Sequence, residues 1–316
     1  MIRADTLDVA AVRADFPCLD QKVNDKPLVY LDNAASAQKP REVIDAVRDF
    51  YARDYSNIHR GAHTLSMRAT AAYEEVRGKV ARFLGTPNER EVVFTSGTTA
   101  GINLVAQTWG RANVGAGDEI VLSEMEHLSN IVPWQFLAEE KGATIRVIPI
   151  DDRGQLDMEA YAALLNEKTR LVAVNQVSNA LGTINPVAEI IRLAHAAGAR
   201  VLIDGAQSAP HMKLDVRAMD CDFFAFSAHK CYGPTGAGAL YGKMELLEAM
   251  PPWQGGGDMI DQVSFKGTTY NVPPMKFEAG TPNIAGVIGM GAGLDWMQRI
   301  GVAASARHEP HLSALA

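Results

Sequence analysis

The residues with the clearest chemical potential in this sequence follow two short apolar runs, each with the length and composition of a buried strand. They are Asp204 and Gln207 after the run 201–203, and Ser227, His229 and Lys230 after the run 223–226. Ligands of open α/β sheets bind just beyond the carboxyl ends of the strands. A carboxylate and a lysine at that edge therefore predict a crevice in which an acid and an amine meet one electrophile.

Two further features fall at the same predicted edge. Residues 95–99, Thr-Ser-Gly-Thr-Thr, connect a predicted strand to a predicted helix, where free N–H groups and the hydroxyls of Thr98 and Thr99 suit a phosphate. A plain helix N-cap would use the same residues. His127 also follows a predicted strand, and a capping or solvent-facing histidine is the alternative. The carboxylate and the lysine named above could likewise be a helix cap and a surface charge, but their coincidence at one edge favours a site.

Pyridoxal 5′-phosphate (PLP) requires such a combination of groups. A lysine amine binds its aldehyde, and an acid opposite the pyridine nitrogen keeps that nitrogen protonated. A flat side chain stacks on the ring, and N–H and hydroxyl donors hold the phosphate. The sequence therefore predicts PLP as the cofactor and no metal site.

Composition limits the class of protein. The chain has 316 residues, of which 47% are hydrophobic and 21% charged, with a net charge of -7 and a pI near 5.6. These values are typical of a globular protein and give no electrostatic reason to bind nucleic acid. The sequence contains no run of about 18 apolar residues and no signal-peptide pattern, so we expect no membrane partner. Three cysteines form no disulfide framework, and we expect a cytoplasmic location.

The order of predicted elements indicates an α/β fold. From residue 91 onwards strands and helices alternate, which is typical of a mainly parallel sheet flanked by helices. Predicted strands cover residues 28–31, 92–94, 120–122, 145–150, 171–174, 201–203, 223–226 and 239–241. Predicted helices cover residues 7–16, 40–54, 66–84, 100–109, 158–165, 187–197 and 284–300, with another that ends near residue 142.

Nine segments together resemble a known family. They are YLDNAASAQKP, NIHRGAHTLS, VVFTSGTTAGINLVA, EMEHLSNIVPWQ, NQVSNALGTINPV, VLIDGAQSAPH, FFAFSAHKCYGPTGAG, GGGDMI and FEAGTPN. The chain resembles the group II cysteine desulfurases of the class V aminotransferase family, from about residue 27 to residue 300. The resemblance implies a fold-type I PLP-dependent transferase large domain with an incomplete small domain. It divides the chain into an N-terminal arm (1–26), a PLP-binding large domain (27–300) and the start of a truncated C-terminal domain (301–316).

The resemblance also implies roles for individual residues at the cofactor. Lys230 becomes the lysine that binds the PLP aldehyde, Asp204 pairs with the pyridine nitrogen, and Gln207 bonds the ring hydroxyl oxygen. His127 stacks on the ring and helps to move protons. The phosphate ligands on this basis are Thr98, Thr99, Ser227 and His229.

Other implied roles concern the substrate and a second subunit. Asn179 lies beside the cofactor and the substrate, and Ala34 lies near the substrate. His59 and Arg60 face the substrate from a loop across the subunit interface, although a solvated loop is the alternative. Thr281 reaches the phosphate of the partner subunit. The resemblance therefore implies a homodimer with shared sites.

The implied reaction converts L-cysteine to L-alanine and passes sulfur as a persulfide to an acceptor protein, for iron–sulfur cluster or sulfur-cofactor assembly. In the family, the cysteine that takes the sulfur and an arginine that holds the substrate lie in a C-terminal domain. No Arg-x-Gly-x-x-Cys-like segment occurs before Ala316, so we expect impaired sulfur transfer. Cys231 adjoins Lys230, but neighbours on an extended segment point in opposite directions, which predicts a buried filler.

Two other functions are compatible with the same residues. The chain could be a selenocysteine lyase, or another class V PLP lyase, that acts on a different substrate with the same cofactor. It could instead be a non-catalytic, dimerising remnant. The first alternative predicts cofactor binding with a changed substrate preference, whereas the second predicts no cofactor uptake.

Overall fold

The computed structural model describes residues 7–315, so residues 1–6 of the predicted arm and residue 316 lie outside the described part. None of the described helices is long and apolar enough to cross a membrane. The helices, in chain order, are α1 Val9–Ala14, α2 Arg41–Asp49, α3 Thr64–Leu84, α4 Thr98–Val105, α5 Arg111–Asn113, α6 Val132–Lys141, α7 Met158–Leu164, α8 Val187–Ala196, α9 Val216–Met219, α10 Met244–Ala249, α11 Ile284–Ile300 and α12 Val302–Leu315.

The strands form one large sheet and two small hairpins. In chain order they are β1 Lys22–Val23, β2 Lys26–Pro27, β3 Val92–Thr95, β4 Glu119–Ser123, β5 Thr144–Ile148, β6 Thr169–Asn175, β7 Arg200–Asp204, β8 Phe223–Ser227, β9 Gly238–Gly242, β10 Ile260–Ser264 and β11 Gly267–Tyr270. The large sheet has seven strands in the order β3-β9-β8-β7-β6-β4-β5. β9 is antiparallel to both of its neighbours, while the other pairs are parallel. The predicted mainly parallel α/β sheet is therefore confirmed.

Apolar side chains alternate between the two faces of this sheet and form two cores. In β7, Val201 and Ile203 belong to one cluster and Leu202 to the other. β8 divides in the same way, with Phe224 on one side and Phe223 on the other. Strands buried on both faces read as continuous apolar runs, which is why these two were recognisable in the sequence.

The predicted strand at residues 28–31 is wrong. This segment has no strand pairing, and Val29 and Leu31 are 74% and 90% exposed. The short hairpin of β1 and β2 precedes it instead. Several other elements were not predicted, namely the short helices α5, α9 and α10, the longer α12, and the β10–β11 hairpin, whose side chains are mostly exposed.

Helix ends follow local chemistry closely. Gly85 ends α3 in the left-handed conformation, with φ of 78°, which glycine adopts readily at the end of a helix. Pro40 caps α2 from outside the helix and is not its first residue, and a π-helical segment, Phe50–Asp54, continues it. A second π-helical segment, Ala106–Gly110, follows α4.

The predicted N-terminal arm contacts the body of the chain through its residues 15 and 16. The ring of Phe16 lies 5.1 Å from that of Trp296, centroid to centroid. The indole N–H of Trp296 donates to Asp15 at 2.7 Å, and the backbone N–H of Arg41 donates to the Asp15 carbonyl at 2.8 Å. The division into arm, large domain and C-terminal segment stays a prediction.

Candidate active site

One cavity of about 440 Å³ lies at the carboxyl edge of the large sheet, a volume within the usual range for small-molecule sites. It is lined by residues at or just after the carboxyl ends of β3, β4, β6, β7 and β8, together with the loop at residues 32–35. The predicted residues that line it are Ala34, Thr98, Thr99, His127, Asn179, Asp204, Gln207, Ser227, His229 and Lys230. The structure thus brings ten of the thirteen predicted site residues together.

The turn between β3 and α4 presents backbone and hydroxyl groups to this cavity. Gly97 caps α4 with φ of 144°, and no side chain caps the helix. A β-carbon at Gly97 would meet the Ser227 hydroxyl oxygen at 3.0 Å. The N–H of Thr98 donates to that hydroxyl at 2.8 Å, and the two hydroxyls of Thr98 and Ser227 lie 2.9 Å apart. The alternative of a capping threonine is therefore not what the structure shows.

Asp204 is a buried carboxylate with few partners. It is 4% exposed, and burial raises its pKa despite an N–H from Ala206 at 2.9 Å and the charges of Lys230 and His127. Among the described residues, no other group donates to its side chain. This buried carboxylate therefore suits a ligand that carries a positive charge and an N–H donor.

Lys230, His229 and Lys39 form a cluster of basic groups at and beside the cavity. Burial lowers the pKa of Lys230, although Asp204 opposes the shift. Its amine makes no hydrogen bond or ion pair with any residue between 7 and 315. Burial also lowers the pKa of His229, with further contributions from Lys230 and Lys39. The carbonyl of His229 is held by the backbone N–H of Ala37 and the amine of Lys39, each at 3.0 Å.

The loop after β4 fixes the proton position on His127. The backbone N–H of Ser129 donates to His127 Nδ1 at 3.1 Å, and the Ser129 hydroxyl lies 2.8 Å from the same atom. Since Nδ1 accepts a hydrogen bond, a neutral ring carries its proton on Nε2.

The remaining predicted residues in the cavity differ in how firmly they are held. The side-chain amide of Gln207 donates to the Ala34 carbonyl at 2.8 Å, which ties the loop at residues 32–35 to the turn after β7. Asn179 is exposed and makes no hydrogen bond within the described part of the chain.

Three predicted residues do not line the cavity: His59, Arg60 and Thr281. They lie near one another at a second place. Thr281 donates to Asn57, two residues before His59, at 3.4 Å. His59 pairs with Glu74 at 3.0 Å and Arg60 with Asp258 at 2.7 Å.

None of the three cysteines lines the cavity. Cys231 is buried, and burial raises its pKa to about 12. Burial also raises the pKa of Cys221. The expectation that Cys231 is a buried filler is confirmed, but its stated reason is wrong, because residues 228–230 form a 3₁₀ turn and not an extended segment.

Sequence reasoning missed several residues at or beside the cavity. The further lining residues are Asp32, Ala35, Ser129, Asn175, Val177 and Ala206. Asn175 ends β6 beside Asp204, so a polar residue directly after an apolar run was the available signal. Lys39 and Glu126 do not line this cavity and contact the site through other groups, so no motif would have indicated them.

Comparisons with known proteins agree with this geometry. The family model for class-V aminotransferases matches residues 29–316. A cysteine desulfurase of Dickeya dadantii is 62% identical over 299 residues, which cover 94% of this chain and 73% of that protein. The crystal structure of the cysteine desulfurase CsdA from Escherichia coli superposes with a TM-score of 0.89 at 44% identity, covering 97% of this chain and 75% of that chain.

A more distant solved structure contains the cofactor. It is a C-DES mutant with glycine covalently linked to its PLP, with a TM-score of 0.78 and 26% identity, covering 93% of this chain and 76% of that chain. The fold and site define a fold-type I PLP enzyme. The chain belongs to the class-V aminotransferase family and, within it, to the PLP-dependent cysteine desulfurases.

The residues present fit PLP. The underpartnered carboxylate of Asp204 suits a protonated ring nitrogen, and the amine of Lys230 is free to bind an aldehyde. The turn around Gly97 leaves the start of α4 without a side-chain cap, where a phosphate is favoured. When bound, PLP withdraws electrons from the bonds of the substrate α-carbon.

Proposed function

We propose that this chain binds L-cysteine in the cavity at the sheet edge and removes its sulfur, leaving L-alanine. The observation that carries the proposal is the pair of Asp204 and Lys230 in one cavity, the first poor in donors and the second without a hydrogen bond among residues 7–315. Buried groups with shifted pKa values in a cleft are typical of catalytic sites.

Lys230 is proposed to hold the cofactor and to exchange a proton with the substrate α-carbon. Its lowered pKa keeps more of the amine unprotonated near neutral pH, so that Nζ can accept this proton. His127, with its proton on Nε2, is proposed to stack on the ring and to give or take protons at the substrate.

Thr98, Ser227 and His229 are proposed to bind the phosphate, together with Thr99. The Thr98 and Ser227 hydroxyls lie 2.9 Å apart, so one of them donates to the other and the second keeps its O–H free to donate to an anion. Gln207 is proposed to bond the ring hydroxyl while Asp204 pairs with the ring nitrogen. Ala34 and Asn179 complete the wall beside the substrate.

A second subunit is proposed to supply His59, Arg60 and Thr281. These residues lie close to one another but away from the cavity of their own chain. This supports a dimer in which these three residues of each subunit face the cavity of the other subunit. Most soluble oligomers are symmetric dimers, in which such exchange is reciprocal.

The sulfur is proposed to leave as a persulfide on an acceptor thiol, for iron–sulfur cluster or sulfur-cofactor assembly. Cysteine and the thiol RSH become alanine and RSSH, so atoms and electrons balance. Since Cys221 and Cys231 are buried, we infer that the thiol comes from outside the walls of this cavity. The unpaired state of all three cysteines supports a reducing, cytoplasmic location.

The test measures alanine formed from L-cysteine in excess dithiothreitol by the PLP-loaded chain and by Lys230→Ala. We expect alanine from the first and a loss of at least about 10³-fold in the second. A preference for L-selenocysteine over L-cysteine would favour the lyase alternative. Absence of cofactor uptake would favour the non-catalytic remnant.

A further inference from the structure

Glu126 is a buried carboxyl group directly before His127 in the loop that leaves β4. It is 8% exposed. It receives hydrogen bonds from the side-chain amide of Asn130 at 2.7 Å, the backbone N–H of Asn175 at 2.9 Å and the hydroxyl of Ser123. No lysine, arginine or histidine forms an ion pair with it in the described part of the chain. Burying a carboxylate without a cationic partner is costly, and here only hydrogen bonds offset that cost.

The contact with Asn175 replaces a strand pairing. β4 follows β6 in register up to Leu122 opposite Ala173, and the chain then turns away towards His127. β6 continues to Asn175, and the carboxylate of Glu126 accepts the N–H that β4 no longer pairs. The Met125 carbonyl accepts the side-chain amide of Asn175 at 2.9 Å. The loop is thus clamped to the end of β6.

The same residue of β6 is paired with the other half of the site. Asn175 lies opposite Asp204 in the parallel register of β6 and β7. Both carboxyl groups are close enough for Asp204 to raise the pKa of Glu126, although burial is the larger cause. A chain of contacts therefore runs from His127 through Glu126 and Asn175 to Asp204.

His127 has little else to hold it. Its ring is exposed and is bonded to Ser129, within its own loop. Its carbonyl accepts the N–H of Asn130 at 2.7 Å, which is again inside the loop. The backbone N–H of Glu124 ties the start of the loop to Ile148 of β5 at 3.0 Å, but the contacts with Asn175 of β6 lie nearer to His127, so the distance between the imidazole and Asp204 depends on them.

We propose that Glu126 is a positioning residue that fixes the His127 loop on β6 and so sets the distance between the His127 ring and Asp204. The proposal rests on the proposed function of those two residues at the cofactor. A misplacement of about 1 Å at a reacting group can cost on the order of 10²-fold in rate.

The test compares Glu126→Ala and a rescue variant that combines Glu126→Gln with Asn130→Asp. In the rescue variant the new amide at position 126 donates to the new carboxylate at position 130. That carboxylate still accepts the indole N–H of Trp134, as Asn130 does at 2.9 Å. The rescue variant thereby keeps every hydrogen bond of residue 126, and only the bond to residue 130 changes its direction. Glu124→Gln is the control on the same loop, because Glu124 is exposed and the new amide oxygen can still accept the Ile150 N–H that Glu124 accepts at 3.3 Å.

Two readouts are recorded on PLP-loaded protein at equal cofactor content. They are the visible circular dichroism of the cofactor and the rate of the spectral change that L-cysteine causes. We expect Glu126→Ala to reduce both, with a rate at least about 10-fold lower. The rescue variant and the control should remain within about 3-fold of the parent chain.

Several outcomes would overturn the proposal. One is a Glu126→Ala chain that loads and retains the parent dichroism and rate, with only its thermal stability reduced, because that describes a structural role. If Glu126→Ala does not fold, the rescue variant decides: a folded, loaded rescue variant with a weak signal contradicts the clamp. Failure of the parent chain to load PLP would instead contradict the proposed function.

Discussion

Asp204 illustrates how a residue that is proposed to bind the cofactor can oppose stability. Its folded-state pKa is raised, so the ionised form is disfavoured by folding and the free energy of unfolding falls as pH rises above the ordinary Asp range. A protonated ring nitrogen would offset this cost when the cofactor binds.

The substitution Asp204→Asn should therefore stabilise the cofactor-free chain while weakening its use of the cofactor. The Asn oxygen can still accept the Ala206 N–H, and the buried charge is gone. We expect a gain of about 1 kcal/mol, or roughly 2–4 °C in the melting temperature. We also expect a rate with cysteine at least about 100-fold lower. Calorimetry and alanine assays check the two effects, and a lower melting temperature with unchanged rate would contradict them.

Lys39 gives a pH-dependent test at the same scale. Burial lowers its pKa to about 8 from an ordinary value of 10.5, with the charge of Cys231 acting in the opposite direction. The unfolded chain then binds more protons at this residue between about pH 8 and 10.5, so its contribution to stability increases as pH rises through that range.

Urea unfolding of Lys39→Met and the parent chain should show this trend. The difference in unfolding free energy should move in favour of the parent chain between about pH 8 and 10. Lys22→Met, which changes an exposed lysine, serves as the control and should show a constant difference. A constant difference for Lys39→Met as well would mean that this amine is not desolvated.

At the scale of elements, the turn between β3 and α4 is the part of the site most dependent on backbone shape. Gly97 has φ of 144°, and an added β-carbon would lie 3.0 Å from the Ser227 hydroxyl oxygen. A residue with a side chain held at such a φ value costs about 1–3 kcal/mol of folding free energy.

The substitution Gly97→Ala should raise the dissociation constant for PLP by about 10-fold or more, because it disturbs the Thr98–Ser227 contact at the proposed phosphate site. Pyridoxal, which lacks the phosphate, should bind as before. Gly117→Ala introduces a residue at φ of 82° with no neighbouring atom within 4 Å and is the matched control. Equal weakening of both ligands would argue against a phosphate at this turn.

The elements also show what the sequence could and could not establish. Strands buried on both faces, such as β7 and β8, were identified because several consecutive apolar residues between polar segments are typical of a buried strand. The run 28–31 looked the same but has no partner strand, and a partner cannot be read from local residues. The β10–β11 hairpin lacks an apolar face, with all of β11 and most of β10 exposed, so no periodic pattern indicated it.

Part of the cavity lining could be predicted from local sequence alone. Polar residues at strand ends, such as Asp204 and Ser227, are conspicuous because they interrupt apolar runs. Glu126 and Lys39 were missed because their importance lies in contacts between separate segments, Glu126 with Asn175 and Lys39 with His229. Such contacts exist only after the sheet has formed.

At the scale of the whole molecule, the proposed exchange of residues between subunits can be tested by complementation. One chain carries Lys230→Ala, and the other carries Arg60→Ala with Thr281→Ala. If each cavity uses Arg60 and Thr281 of the partner, a mixed dimer contains one complete site. Random mixing of inactive parents should then restore about one quarter of the parental activity. No recovery from mixtures shown to contain mixed dimers would place all these residues in one subunit's site.

The central claim, that Lys230 binds the cofactor opposite Asp204, has one direct measurement. The PLP-loaded chain is treated with borohydride, digested and examined by mass spectrometry for the peptide that carries the cofactor. We expect a single modified residue, Lys230, at about one cofactor per chain. The label should be lost in Lys230→Ala, with no label on the nearby Lys39. A label on another lysine, or none at all on a chain that absorbs as a PLP protein, would contradict the account.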